Sequence, residues 1–191
     1  DIRRITDQFA IAELRNANSA FNQVDNFLTK ASRLDNLLGN TNSGLSTVLQ
    51  QFFSSSQGVT PQADSIPSRQ VMLSQSNTLT QRFGNLYTQI AKEREALNSE
   101  LRDIATVVTS LSASIAQLNG RIQDLSSNGT NELPNDLLDE RDQLLKQLSE
   151  QVGIQVVQQD GQQINVYITN GQPLVVGRTS NTLSTQTSVT D

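Results

Sequence analysis

The chain has 191 residues, a net charge of −5, and no histidine, cysteine or tryptophan, so it is long enough to bury a core but poorly supplied for chemistry. Without His or Cys there is no side chain that titrates near neutrality unperturbed, no thiolate and no disulfide. The scarcity of clustered Lys and Arg removes the electrostatic footprint of a nucleic-acid binder, and no apolar run approaches the ~20 residues that span a bilayer.

Apolar residues make up 35% of the chain and aromatics 4%, a composition that suits a protein with much surface relative to core better than a compact enzyme. No cofactor is implied by any motif. The chain opens without Met and without the pattern of a signal peptide, and its first residues already carry helical spacing, so it is expected to be part of a longer protein.

From Ile2 to Leu38 the apolar residues recur at helical intervals. Leu14, Ala17, Phe21, Val24, Leu28 and Ala31 alternate steps of three and four, a heptad seam, while Ile2, Ile5, Phe9 and Ala12 form a slightly rotated stripe. Gly39 suits the position just after the helix, and Asn40–Ser43 has turn chemistry. A short helix follows, with Leu45, Val48, Leu49, Phe52 and Phe53 predicted as a buried face. Residues 54–67 read as a polar loop with Pro61 and Pro67, the second in the first turn of the next helix.

That next helix carries most of the information. Leu79, Phe83, Leu86, Ile90, Leu97, Leu101, Ile104, Val108, Leu111, Ile115, Leu118, Ile122 and Leu125 continue a seam with one stutter, where Glu93, Leu97 and Leu101 are spaced by consecutive fours. Begun at Val71, the helix would have about 57 residues and measure roughly 85 Å at 1.5 Å per residue. Gly84 and Gly120 cost about 1 kcal/mol each without breaking it. After a turn at 126–131, Pro134 opens a helix to about Val152. Its apolar side is Leu137, Leu138, Leu144, Leu145 and Leu148, and acidic residues gather at its start, as the helix dipole favours.

Beyond Gly153 the period changes to two. Strands at 154–159, 162–169 and 172–176 are separated by Asp160-Gly161 and Asn170-Gly171, dipeptides that favour two-residue type I′ turns. That pairing would place Val157, Ile164, Val166, Ile168 and Val175 on one face and Ile154, Val156, Tyr167 and Leu174 on the other. From 177 to 191 the chain is rich in Ser and Thr and carries no strong signal.

The fold expected is mainly α: an elongated antiparallel helical bundle with one very long helix, plus a small three-stranded β-meander near the C-terminus. Residues 1–152 would form the bundle, 153–177 the meander packed on or beside it, and 178–191 a polar tail leading toward a further domain. Among charged groups, Glu132, Asp136, Asp139, Glu140 and Asp142 lie mostly on a helix and lack the alternating ligands of a calcium loop. They read as a solvated helix start, and Lys92-Glu93-Arg94-Glu95 reads as a solvated face. The sequon Asn128-Gly129-Thr130 carries no weight in a chain so rich in Asn and Thr. No catalytic, metal or cofactor-binding residue is assigned.

The segment Pro134-Asn135-Asp136-Leu137-Leu138-Asp139-Glu140-Arg141-Asp142-Gln143-Leu144 closely resembles a signature of the flagellar hook-associated protein 1 family. The similarity continues through Leu148, Val152, Gln159-Asp160-Gly161, Asn170-Gly171 and Leu174-Val175. It extends upstream to Ser68-Arg69-Gln70 and to the first helix. The resemblance implies a structural part of the bacterial flagellum that joins hook to filament, is secreted by flagellar type III export, and lies outside the cell. Its implied partners are further copies of itself, the hook protein, a second junction protein and an export chaperone acting on regions outside this chain, with no nucleic acid and no membrane. The alternatives are a non-flagellar coiled-coil scaffold and another flagellar axial protein, either the second junction protein or flagellin. An apolar stripe left open along 97–125 is expected where a returning helix belongs.

Overall fold

The computed structural model describes residues 8–39, 44–127 and 134–186. The stripe residues Ile2 and Ile5, the turn at 40–43, the sequon at 128–130, Glu132 and the last five residues lie outside that description. Four helices come first: α1 (Gln8–Gly39), α2 (Leu45–Val59), α3 (Ile66–Ser127) and α4 (Asn135–Gln151). Four strands follow, β1 (Ile154–Gln158), β2 (Ile164–Ile168), β3 (Pro173–Val176) and β4 (Thr179–Ser180), in one antiparallel sheet of order β1-β2-β3-β4.

The mainly helical class, the single very long helix and the small C-terminal sheet all match the sequence reading. α3 runs 62 residues without interruption, passing through Gly84 and Gly120. It starts five residues earlier than the periodicity indicates, because Ser65 caps it: the Ser65 hydroxyl accepts from the Ser68 amide at 3.4 Å. Pro67 stands in the first turn, where its missing N–H costs nothing.

The expected loop at 54–67 shrinks correspondingly. α2 extends to Val59 and a single 3-10 turn covers Thr60–Gln62. Ser55 and Thr60 turn their hydroxyls back onto the carbonyls of Phe52 and Ser56, at 2.7 and 3.3 Å, so these polar residues are accommodated within and at the end of the helix. The face expected on α2 is only half-buried, at Leu45, Val48, Leu49 and Phe52. None of its residues is buried, and Phe53 is exposed with its ring edge-on to Phe52.

The chain divides into two compact units. One holds residues up to Asp25 together with Ser99 onward, and the other holds Asn26–Asn98. The division cuts α3 beside the stutter at Leu97. In the first unit, α3 and α4 form an antiparallel hairpin: Leu118 and Ile122 cluster with Leu138, while Val108, Ile115 and Ala116 cluster with Leu145 and Leu148. The sheet adds Ile154, Ile164, Val166, Leu174 and Val175 to the second cluster.

In the 26–98 unit, Leu86 is the one core hydrophobic among the described residues. Phe27, Leu28, Ile66, Leu73, Phe83 and Tyr87 are exposed.

The register of the sheet differs from the expectation, and the difference is physical. Both hairpin loops have three residues rather than two: the Gln159 amide donates to the Gln163 carbonyl, and the Ile168 amide to the Gln172 carbonyl. In the second loop Gly171 takes φ +88, as a type I turn followed by a bulge requires. In the first loop the left-handed position falls on Gln162, at φ +66, one residue after Gly161.

Lengthening that loop by one residue turns β1 over. Ile154 now faces Ile168 and Val156 faces Val166, so these four share one side, and Val157 lies on the other with Asn165. A left-handed Gln costs about 1–2 kcal/mol. Fully burying an aliphatic side chain returns about 1.5–3 kcal/mol, and this register inserts Ile154 fully and Val156 in part. Burial wins.

A bulge between β2 and β3 likewise brings both Leu174 and Val175 into the core. The sheet also gains a strand. Thr179–Ser180 pairs back on Val175–Val176 after a turn at Gly177, φ +56.

Gln162→Gly should raise the unfolding free energy by about 0.5–1 kcal/mol, and Gly171→Ala should lower it by about 1 kcal/mol or more, in denaturant titration. Leu148→Ala, which empties the centre of the larger cluster, should cost about 2–5 kcal/mol by the same measurement.

Candidate functional site

The signature segment forms the first three turns of α4. Pro134 precedes the helix at φ −75, and its carbonyl accepts from both the Leu137 and Leu138 amides. Asp136, Asp139 and Glu140 are exposed, a solvated helix start, whereas Asn135, Leu137, Asp142 and Leu144 are half-buried and Leu138 is buried. Arg141 is the unusual residue. It falls on the inward stripe Leu138–Arg141–Leu145–Leu148 and is only 4% exposed.

A buried guanidinium is costly, and the cost falls as its donors are met. Nη1 of Arg141 donates to the Gln162 carbonyl at 2.6 Å and to Asn119 Oδ1 at 3.1 Å. Asn119, on α3, is fully buried. Its Nδ2 donates twice, to the Ile164 carbonyl at 2.8 Å and to the Gly177 carbonyl at 2.7 Å. Two carbonyls on one side and a guanidinium on the other leave one orientation for the Asn119 amide.

Further polar contacts ring this centre. Gln163 Nε2 donates to Gln123 Oε1 at 2.6 Å, and the Gly177 amide donates to Asn165 Oδ1 at 2.8 Å. Arg178 lies across α3 and grips both oxygens of Asp124 at 3.0 Å. Gly120 makes room for it, since a Cβ there would come within 2.9 Å of Arg178 Nε. After β4 the chain is held again at Thr109, whose hydroxyl accepts from the Leu183 amide at 3.0 Å, and Leu183 packs against the core. Arg15 on α1 is also in this unit; burial pushes its guanidinium below the usual range, and Asp142 partly opposes that shift.

The predicted seam divides along α3. Val108, Ile115, Leu118 and Ile122 are buried, and Ile104 and Leu111 are half-buried. Leu101 and Leu125 remain exposed at the two ends, so 97–125 is largely but not wholly covered. Nearer the start of α3, Leu86 is buried, Leu79 and Leu97 are half-buried, and Phe83 and Ile90 are exposed. On α1 the heptad residues Leu14, Phe21, Val24 and Leu28 are all more than half exposed. Glu93 meets Arg33 at 3.7 Å, which accounts for its seam position as a partly exposed ion pair.

Asn119 and the burial of Arg141 went unread in the sequence. The signal was present: Arg141 interrupts a 3-4-3 apolar spacing, and Asn119 sits between Ile115 and Ile122 at i+4 and i+7. Among the described residues no three His, Cys, Asp or Glu side chains converge as metal ligands would, and no helix is long and apolar enough to cross a membrane. The arrangement described is one that holds a helical hairpin and a sheet together.

Residues 31–191 match the family profile described as the flagellar hook-associated protein FlgK helical domain. The chain is 31% identical over 190 residues to the flagellar hook-associated protein 1 of Salmonella typhimurium, covering all of this chain and 34% of that protein. It is 28% identical over 156 residues to the protein of the same name from Bacillus subtilis, covering 81% and 30%. Among solved structures, it is similar to the flagellar hook junction protein FlgK from Burkholderia pseudomallei, with a TM-score of 0.80 and 34% identity over 89% of this chain and 30% of that one. The chain therefore spans about a third of the length of the relatives it matches.

The two charged clusters should separate on mutation. Arg141→Ala leaves the Gln162 carbonyl and Asn119 Oδ1 short of a donor, and should lower the unfolding free energy by about 2–4 kcal/mol. Asp124→Ala, which removes an exposed pair, should change it by no more than about 1 kcal/mol and less at high salt. Denaturant titrations at two ionic strengths check both.

Proposed function

Because the chain belongs to the FlgK helical-domain family of flagellar hook-associated proteins, we propose that it is the helical portion of a structural protein joining the flagellar hook to the filament. The observation that carries this reading is the likeness of 89% of this chain to a hook junction protein at a TM-score of 0.80 and 34% identity. Likeness of fold alone would not suffice, since one fold serves many functions. Here the sequence match extends over the whole chain as well.

In this reading the protein is extracellular, exported by the flagellar type III route, and works by assembly rather than catalysis. Its neighbours are further copies of itself, the hook protein and the second junction protein, and an export chaperone acts on segments outside this chain. The exposed apolar residues along α1, from Leu14 to Leu28, supply surface for such packing. The buried hairpin and sheet supply a rigid body on which subunit contacts can repeat.

The test is deletion of the full-length gene from a motile strain, followed by electron microscopy. Cells should carry hooks without filaments, with filament protein released into the medium, and motility should return on complementation. Normal filaments on the hooks of the deletion strain would rule the junction role out.

A further inference from the structure

The sheet is pressed onto α3 and α4 by aliphatic side chains, and such contact is strong but non-directional. Burial of Ile154, Ile164, Val166, Leu174 and Val175 rewards any seating that covers them, so it discriminates only weakly between neighbouring seatings. Something must select one seating. The contacts that discriminate are those to fixed backbone groups, and two side chains inside the helical hairpin make them.

Asn119 reads the Ile164 and Gly177 carbonyls, and Arg141 reads the Gln162 carbonyl, while each is bound to the other. The three carbonyls belong to the start of β2, the loop before it and the turn between β3 and β4. They lie at one end of the sheet. We infer that Asn119, oriented by Arg141, is the positioning residue that seats the sheet on the α3–α4 hairpin in one register.

Three features support the assignment. Both residues are buried within apolar stripes, where an unneeded polar group would be a net cost. Both protons of the Asn119 amide are used, to Ile164 and to Gly177, so a seating that carries either carbonyl away costs a buried hydrogen bond. The coupling to Arg141 also explains why α4 places a cation between Leu138 and Leu145: it fixes which end of the amide points at the sheet. The inference does not depend on the reading of the protein as a junction component.

The discriminating variant is Asn119→Asp in the full-length protein, studied by amide hydrogen exchange with mass spectrometry. The new carboxylate is nearly isosteric and still accepts from Arg141, but it cannot donate, and it opposes two carbonyl oxygens. Relative to the parent protein at the same pH, exchange across residues 164–180 should rise about tenfold or more, while the α3–α4 contact at 108–122 and 138–148 stays protected. Lowering the pH until the carboxyl is protonated restores one donor and should recover part of the sheet's protection. Unchanged sheet protection would overturn the assignment, as would loss shared equally by helices and sheet, or loss that acid does not relieve.

A second variant, Asn119→Leu with Arg141→Met, removes both polar groups together and applies if the first does not fold. It should remain folded, yet residues 154–180 should show more than one set of amide resonances. A single native set would overturn the assignment.

Discussion

The buried face of α3 between Val108 and Ile122 is the constraint on which the rest of its unit depends. Val108, Ile115, Leu118 and Ile122 recur at steps of seven, three and four, so they present one stripe without interruption. α4 runs back along that stripe with Leu138, Leu145 and Leu148, and the sheet closes the remaining side. Two neighbours cover the stripe, and the longer cluster is the result.

Within that apolar setting the polar groups have a different task. Each aliphatic side chain contributes about 1.5–3 kcal/mol when fully buried, whichever way it faces. A hydrogen bond adds about 1 kcal/mol net, but costs more when it is lost inside the core. The Asn119–Arg141 pair therefore adds little to the total and much to the selection of one arrangement. The exposed Arg178–Asp124 pair has weaker leverage, since water competes for both partners.

Residues 26–98 are built on other terms. Their helices bury little apolar surface, and aromatic rings such as Phe27 and Tyr87 stand in solvent. The heptad seam of α1 is regular in sequence and yet exposed within this chain, which spans about a third of its relatives. Helix here rests on local terms such as the Ser65 cap, with the exposed pair Arg33–Glu93 linking α1 to α3. Such terms are worth tenths of a kcal/mol to about one each.

Much of the architecture was legible in the residues themselves. The heptad steps from Leu79 to Leu125 specify a long helix because side-chain spacing along a helix is set by its own geometry. Pro67 marks its first turn, and the change to a period of two after Gly153 marks the sheet. The signature around Pro134–Leu144 pointed to the family. What the sequence could not settle was every question decided by a distant partner. At Asp160-Gly161 a two-residue turn was the better local choice, but burying Ile154 and Val156 was worth more and the loop took three residues; at Asn170-Gly171 the three-residue loop places Gly171 at the left-handed position. Arg141 looked like one charge among several on a solvated helix, because its partners, the Gln162 carbonyl and Asn119 Oδ1, lie 21 and 22 residues away and meet it only once the sheet and α3 have packed against α4. Local spacing fixes which elements form; the competition for one shared apolar face decides their register, and only the folded chain contains that face.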